Sequence, residues 1–190
     1  MATGSSGSKR KPHRNPRPQV SVLRVGHRVG RDPRLTTHLA LAARALGADR
    51  MYLEPPDPDL AARVAALAKG WGGSFEVVGV RDWKQQVRSY AGIVVHLTMY
   101  GQPLERVLPR ILRSPRVLLA VGGAKVPPDL YRLSTLNVAV GHQPHSEVAA
   151  VAVVLDRLLG VPGPGRWPGA ERAVVPRVRG KKVAVRRRAG

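Results

Sequence analysis

Between Val140 and Gly160 the chain reads VGHQPHSEVAAVAVVLDRLLG. From Val148 onward it is apolar except for Asp156 and Arg157, which predicts a buried helix. The first half gathers His142, Gln143, Pro144, His145, Ser146 and Glu147 where the short strand NVAV passes through Gly141 into that helix. Two histidines three residues apart raise metal ligation, and His96 could approach them. No clear third ligand or H-E-x-x-H pattern goes with them, so no metal is expected. Hydrogen bonding to a ligand, or shaping of the loop, is the chemistry this stretch favours.

Two other strand ends have the same character. VVHLTMYGQP ends a strand with Leu97, Thr98, Met99, Tyr100 and Gly101, and LLAVGGAKVPP ends another with Val121, Gly122, Gly123, Ala124 and Lys125. Glycine at a strand exit lets a ligand approach the backbone closely. The helix that follows offers free N–H groups to an anion or carboxylate. In open parallel sheets ligands bind outside the C-terminal strand ends, so three such ends in succession predict a small-molecule pocket. The alternative is plain turn chemistry, with Gly and Pro serving geometry alone. No G-x-G-x-x-G follows the first strand and no G-x-x-x-x-G-K-[ST] occurs, which disfavours the usual dinucleotide and P-loop sites. Glu54, ending the second strand, would nevertheless suit a ribose.

The first strand end differs. GHRVGRDPRLTTH packs Arg28, Arg31 and Arg34 with His27 and His38 around a single Asp, a set suited to phosphate contact. Six residues after His38 comes Arg44, in a run of Ala and Leu. It either snorkels from a core face or points into a site.

These groups need a scaffold. VSVLRV (20–25), RMYLE (50–54), SFEVVGV (74–80), GIVVHLTM (92–99), RVLLAVGG (116–123) and NVAV (137–140) read as strands. Most are continuous Val/Leu/Ile runs, as in parallel strands covered on both faces. Helical spacing fills the intervals at 36–48, 58–71, 82–90, 102–112 and 127–134, and several of these begin with Asp or Pro. Strands alternating with helices predict an α/β domain with a mainly parallel sheet. The domain expected is 20–160, after a basic disordered tail at 1–19 and before a loosely ordered Pro/Gly/Arg-rich extension at 161–190.

The chain has 190 residues and a net charge of +20. Residues 1–18 hold five Lys/Arg and no acid, and 161–190 hold nine Lys/Arg and one acid, so the tails carry +13 of that charge. A polyanion partner, nucleic acid rather than a membrane surface, is the natural reading. Cys is absent, no apolar stretch approaches the roughly 18 residues of a membrane span, and no signal-peptide core opens the chain. A cytoplasmic setting is expected.

The strings GHRVGRDPRLTTHLALAARALGA, WGGSF, VVHLTMYG, VGGAKVP and NVAVGHQPHSEVAAVAVVLDRL resemble the archaeal tRNA 2′-O-methyltransferase family that modifies cytidine 56 in the T-loop, within the SPOUT superfamily. The resemblance runs from Val20 to Gly160. It implies a SPOUT fold with a C-terminal deep trefoil knot, a rare exception to the rule against threaded loops. It also implies a homodimer with the final helix at its interface, a tRNA substrate, and S-adenosylmethionine as cofactor. Three loops would hold that cofactor: Leu97, Thr98, Tyr100 and Gly101; Val121, Gly122, Gly123, Ala124 and Lys125; and Ala139, Val140, Gly141, His142, Gln143, Pro144, His145 and Ser146. SpoU-type relatives carry N-x5-R at the start of the first helix. Here that alignment puts His38 at the Asn and Arg44 at the Arg, implying that both are catalytic. His38 titrates near neutrality and could accept a proton, or could cap or pack the helix start. Arg44, always charged, would orient the ribose. Arg28, Arg31 and Arg34 would grip tRNA phosphates. Ala124 stands where relatives carry Glu. The rival readings are a non-catalytic RNA-binding protein with a degenerate pocket, and a methyltransferase of the same fold acting on ribosomal RNA.

Overall fold

The computed structural model describes residues 17–123, 125–165 and 167–185. Six strands form one sheet: β1 (Gln19–Val25), β2 (Arg50–Leu53), β3 (Glu76–Gly79), β4 (Ile93–Pro103), β5 (Arg116–Gly122) and β6 (Leu136–Ala139). They lie in the order β3-β2-β1-β5-β4-β6, and every pairing is parallel. Six helices alternate with them: α1 (Pro33–Ala45), α2 (Pro58–Trp71), α3 (Trp83–Arg88), α4 (Leu104–Ile111), α5 (Pro128–Leu133) and α6 (Glu147–Leu159).

Both faces of the sheet are covered, which explains the uninterrupted apolar strands. On β5, Val117, Leu119 and Val121 enter the larger core beneath α1, α2, α4 and α6. Their alternates Leu118 and Ala120 enter a smaller core with Trp83 and Val87 of α3 and Leu130 of α5. Local chemistry sets the helix starts. Pro33 opens α1, Asp57 Oδ1 accepts the Leu60 N–H ahead of α2, and Asp82 accepts from Lys84 and Gln85 ahead of α3. Each cap satisfies N–H groups the helix cannot.

The segment from Val161 differs from the expectation of a loosely ordered tail. Among its described residues, the stretch around 167–171 packs back on the domain. Gly73 N donates to Pro168 O at 2.9 Å and Glu171 N to Gly70 O at 3.1 Å. Ala170 is buried, and β7 (Arg172–Val174) pairs antiparallel with β8 (Val183–Val185). The disordered-tail expectation for residues 1–16, and residues 186–190, lie outside the described residues. Among the described residues no helix is long and apolar enough to cross a membrane.

Candidate active site

The C-terminal ends of β1, β4 and β5, with α5 and the start of α6, enclose a cavity of about 620 Å³. Thr98, Met99, Tyr100, Gly122 and Gly123 line it from the strand ends, and Pro144, His145, Ser146 and Glu147 from the β6–α6 turn. Parts of all three expected loops therefore converge there, while Gly101, Val121, Lys125 and Ala139 to Gln143 do not line it.

The β4 contribution depends on an irregularity. Leu97 pairs with Val138 of β6, and so does Gln102, so residues 98–101 bow out between two contacts with one β6 residue. Gly101 is what allows this. A Cβ there would lie 2.3 Å from Val138 N, closer than any side chain permits. Gly122 is similarly confined, its would-be Cβ being 2.8 Å from Val126. The His142 ring Nδ1 donates to the Met99 carbonyl at 2.9 Å, tying the β6 turn to the β4 turn. Ser146 Oγ accepts the Ala149 N–H at 3.1 Å and so caps α6. Part of the polar knot before that helix is thus capping and loop-to-loop bonding. Gln143 and Lys125 are exposed, Val121, Ala139 and Leu97 are buried, and Val140 and Gly141 are half-buried. Ala124 lies outside the described residues.

The floor of the cavity is charged. Arg24, late in β1, is only 1 % exposed. Its guanidinium lies 3.5 Å from Glu147 and 4.0 Å from Asp32, and Nη1 donates to the Val25 carbonyl at 3.1 Å. Its buried Nε has no hydrogen-bond partner among the described residues. Arg28 holds Asp32 in a fork, Nε to Oδ2 at 2.9 Å and Nη2 to Oδ1 at 2.8 Å. That fork depresses the Asp32 carboxyl below its ordinary range. Glu147 moves the other way: burial raises its carboxyl, Arg24 opposes the rise, and Asp32 adds to it. Two acids in one cavity are thereby driven apart.

A buried network braces the loop that carries Arg28. His27 Nε2 lies 3.1 Å from Asp57 Oδ2, and its Nδ1 lies 2.9 Å from Thr36 Oγ1. Glu54 is committed to the Gly26 N–H at 3.0 Å. Arg31 and Arg34 are exposed beside this loop. His96 does not join His142 and His145. It is fully buried, paired with Asn137 at 2.8 Å and edge-on to Tyr131 at 4.5 Å, and burial lowers its basicity.

The two residues expected to be catalytic lie elsewhere. His38 is exposed on α1 and does not line the cavity. Arg44 sits in the last turn of α1 and is 7 % exposed. Its Nη2 donates to the Gly72 carbonyl at 2.5 Å, and its guanidinium lies 5.3 Å from the centre of the Trp167 ring. Burial lowers its pKa. The N-x5-R spacing thus ends on an arginine that joins α1 to the α2–β3 turn and the C-terminal segment. Sequence reasoning missed Arg24 and Tyr131, and gave Asp32 and Glu147, though it noted both stretches, no role of their own. The available signal was VSVLRV, an arginine inside a strand otherwise bound for the core.

The chain has relatives among known proteins. Residues 71–184 match a family model described as tRNA ribose 2′-O-methyltransferase, aTrm56. The chain is 47 % identical over 165 residues to a tRNA (cytidine(56)-2′-O)-methyltransferase of Archaeoglobus fulgidus, covering 87 % of this chain and 98 % of that one. It is 44 % identical over 168 residues to the enzyme of the same name from Methanothrix thermoacetophila, covering 87 % and 97 %. Among solved structures it is similar to the SpoU methyltransferase AviRb from Streptomyces viridochromogenes in complex with the cofactor AdoMet. There the TM-score is 0.55 at 16 % identity, over 76 % of this chain and 58 % of that one, a likeness of fold.

Proposed function

The chain belongs to the aTrm56 family of tRNA ribose 2′-O-methyltransferases, and on that premise we infer that methyl donor and target ribose meet in the cavity at the ends of β4 and β5 and the β6–α6 turn. The chain is a tRNA (cytidine56-2′-O)-methyltransferase, and S-adenosylmethionine is its methyl donor. The observation that carries the placement is the convergence of Thr98–Tyr100, Gly122–Gly123 and Pro144–Glu147 on one cavity of about 620 Å³.

The residues present suit that donor. The volume lies within the ~300–1,000 Å³ of small-molecule sites. Leu97, Val126 and Ala150 offer apolar lining, and Thr98, Tyr131 and Ser146 offer hydrogen bonds. When bound, S-adenosylmethionine supplies a methyl group already activated by its sulfonium. Leu97, Thr98, Tyr100, Gly101, Gly122, Gly123, Lys125 and the turn from Ala139 to Ser146 hold it in this reading. The protein's task is then to align a ribose 2′-hydroxyl with that methyl and to take up its proton. Arg28, at the cavity edge, and the exposed Arg31 and Arg34 engage tRNA phosphates. His38 and Arg44 are left outside the reacting centre.

Three further features belong to this reading. A chain threaded as a trefoil knot is the first, carried over from the SPOUT resemblance of the sequence. The exposed Ala149 and Val153 leave a small apolar strip on α6 that supports pairing of two copies. The setting is cytoplasmic, where tRNA is modified.

Incubation with labelled S-adenosylmethionine and unmodified tRNA transcripts tests the function. Label is expected in a transcript with cytidine at position 56, in an alkali-resistant linkage, and not in one substituted there. Label in both, or in neither, overturns the assignment.

A further inference from the structure

We propose that Glu147 is the proton acceptor for the ribose 2′-hydroxyl, with Arg24 positioning its carboxylate. The proposal rests on the methyl-transfer reading above.

Apart from His145, whose ring stands in solvent with only Nδ1 engaged, the other titratable groups of the cavity are committed or unsuited. Both oxygens of Asp32 are taken by the Arg28 fork. The Asp32 fork raises Arg28 above its already high ordinary value, and Arg24 is taken up by its two carboxylate neighbours and the Val25 carbonyl. Tyr131 shares its hydroxyl with Thr98 at 3.2 Å, and Tyr100 is 76 % exposed. His145 is exposed, with Nδ1 turned to the Ser146 carbonyl at 3.2 Å.

Glu147 differs from all of these. It is the first residue of α6, lines the cavity, and is held from one side by Arg24 Nη1 at 3.5 Å from Oε1. Among the described residues its other oxygen has no hydrogen bond. Burial raises the carboxyl above its ordinary value, the direction a general base working near neutrality requires. Arg24 itself is fixed by Asp32 and by the Val25 carbonyl, so Glu147 is braced without losing its free oxygen.

The step balances. The ribose 2′-oxygen forms a bond to the methyl carbon, the carbon–sulfur bond breaks, and its electron pair remains on sulfur, which becomes a neutral thioether. The 2′-hydroxyl proton passes to Glu147 and leaves to solvent once product departs.

Glu147→Gln keeps the shape and a polar oxygen toward Arg24, 3.5 Å away in the wild type, while removing the base. Single-turnover transfer to unmodified tRNA is expected to fall about 10²–10⁴-fold. The acid limb of the wild-type pH–rate profile, set by a group facing Arg24, Arg28, Asp32, Tyr100, Tyr131 and His145, is expected to vanish. S-adenosylmethionine and tRNA dissociation constants, read by calorimetry and filter binding, are expected within about threefold of wild type. Independently of activity, a carbon-13 NMR titration of glutamate carboxyls in the ligand-free protein is expected to show one resonance titrating above the ordinary range, absent in the variant. Glu147→Asp, which retains a carboxylate, restores part of the rate and the acid limb. A Gln variant with near wild-type rate and an unchanged profile overturns the proposal, as does a Glu147 carboxyl that titrates normally. A wild-type protein that labels no tRNA while binding donor and tRNA overturns the methyl-transfer reading and the proposal with it.

Discussion

Arg24 Nη1 and Glu147 Oε1 face each other at 3.5 Å across the cavity floor, joining the end of the central strand β1 to the first residue of α6. Arg24 is almost fully buried and also answers Asp32 at 4.0 Å. Removing one partner of a buried charge group leaves the others uncompensated. Arg24→Met is therefore expected to cost about 3–5 kcal/mol in urea unfolding, and Arg24→Met combined with Glu147→Gln to recover part of that loss. Purely additive effects would show that the two side chains are not coupled.

Asp32 gives a pH prediction. The Arg28 fork lowers its folded-state pKa below the ordinary 3.8. A depressed acid contributes stability that is present above the unfolded value and is lost as pH falls through the folded one. Wild type and Asp32→Asn are thus expected to differ most at neutral pH and to converge below the unfolded carboxylate range. Thermal melts of both across acid pH check this. A gap that stays constant into strong acid would rule the fork out as its cause.

Arg44 is expected to behave as a structural residue. Arg44→Met leaves the Gly72 carbonyl without its donor and removes the cation from the Trp167 ring. The unpaired carbonyl alone costs about 1–3 kcal/mol. Denaturant midpoints should fall accordingly, while the folded fraction binds S-adenosylmethionine with unchanged affinity. Wild-type stability together with lost transfer would return Arg44 to the reaction.

The same residue shows what sequence patterning can and cannot reveal. The strands were legible because Val/Leu runs such as VLLAV are buried on both faces. The cavity was legible in part because parallel topology sends the ends of β4, β5 and β6 to one side, and glycines fall at or near each: Gly122 ends β5, Gly101 lies inside β4 two residues before its end, and Gly141 follows β6. Arg44 was not, because spacing along α1 does not fix which way a side chain in an Ala/Leu run points. Its partners, Gly72 and Trp167, are supplied by distant segments. The extension after Val161 was misjudged for the same reason. Its Pro, Gly and Arg content resembles a tail, and what anchors it is main-chain bonding to Gly70 and Gly73 with Ala170 buried between. Arg24 and Glu147 lie 123 positions apart in the numbering, and only the fold brings them together.

Two glycines separate fold from ligand. Gly101→Ala places a methyl 2.3 Å from Val138 N, and backbone cannot yield as a side-chain tip can. A loss of about 1–3 kcal/mol or more is expected. Gly141 has open space around its would-be Cβ and no left-handed backbone. Gly141→Ala should leave stability within about 0.5 kcal/mol, as at ordinary surface positions, yet weaken S-adenosylmethionine binding. Melting curves and calorimetry on the pair decide it. Unchanged donor affinity in Gly141→Ala would place the ligand away from the β6 turn.

Arg31 and Arg34 test where the RNA lies. Both are exposed beside the loop that Asp57, His27 and Thr36 brace, and neither lines the cavity. With a chain charge of +20, non-specific attraction to any polyanion is strong, so affinity at one salt concentration says little. The slope of log affinity against log salt is the informative quantity, because it counts the phosphate contacts made. Each arginine that engages a phosphate should reduce the slope by roughly one when replaced by Ala. The double variant Arg31→Ala/Arg34→Ala should therefore bind tRNA more weakly with a shallower slope, while donor affinity and melting temperature stay unchanged. A weaker but equally steep dependence would mean that these arginines act through shape or folding. An unchanged curve would move the phosphate path off the β1–α1 loop and leave the basic C-terminal segment as the surface to examine next.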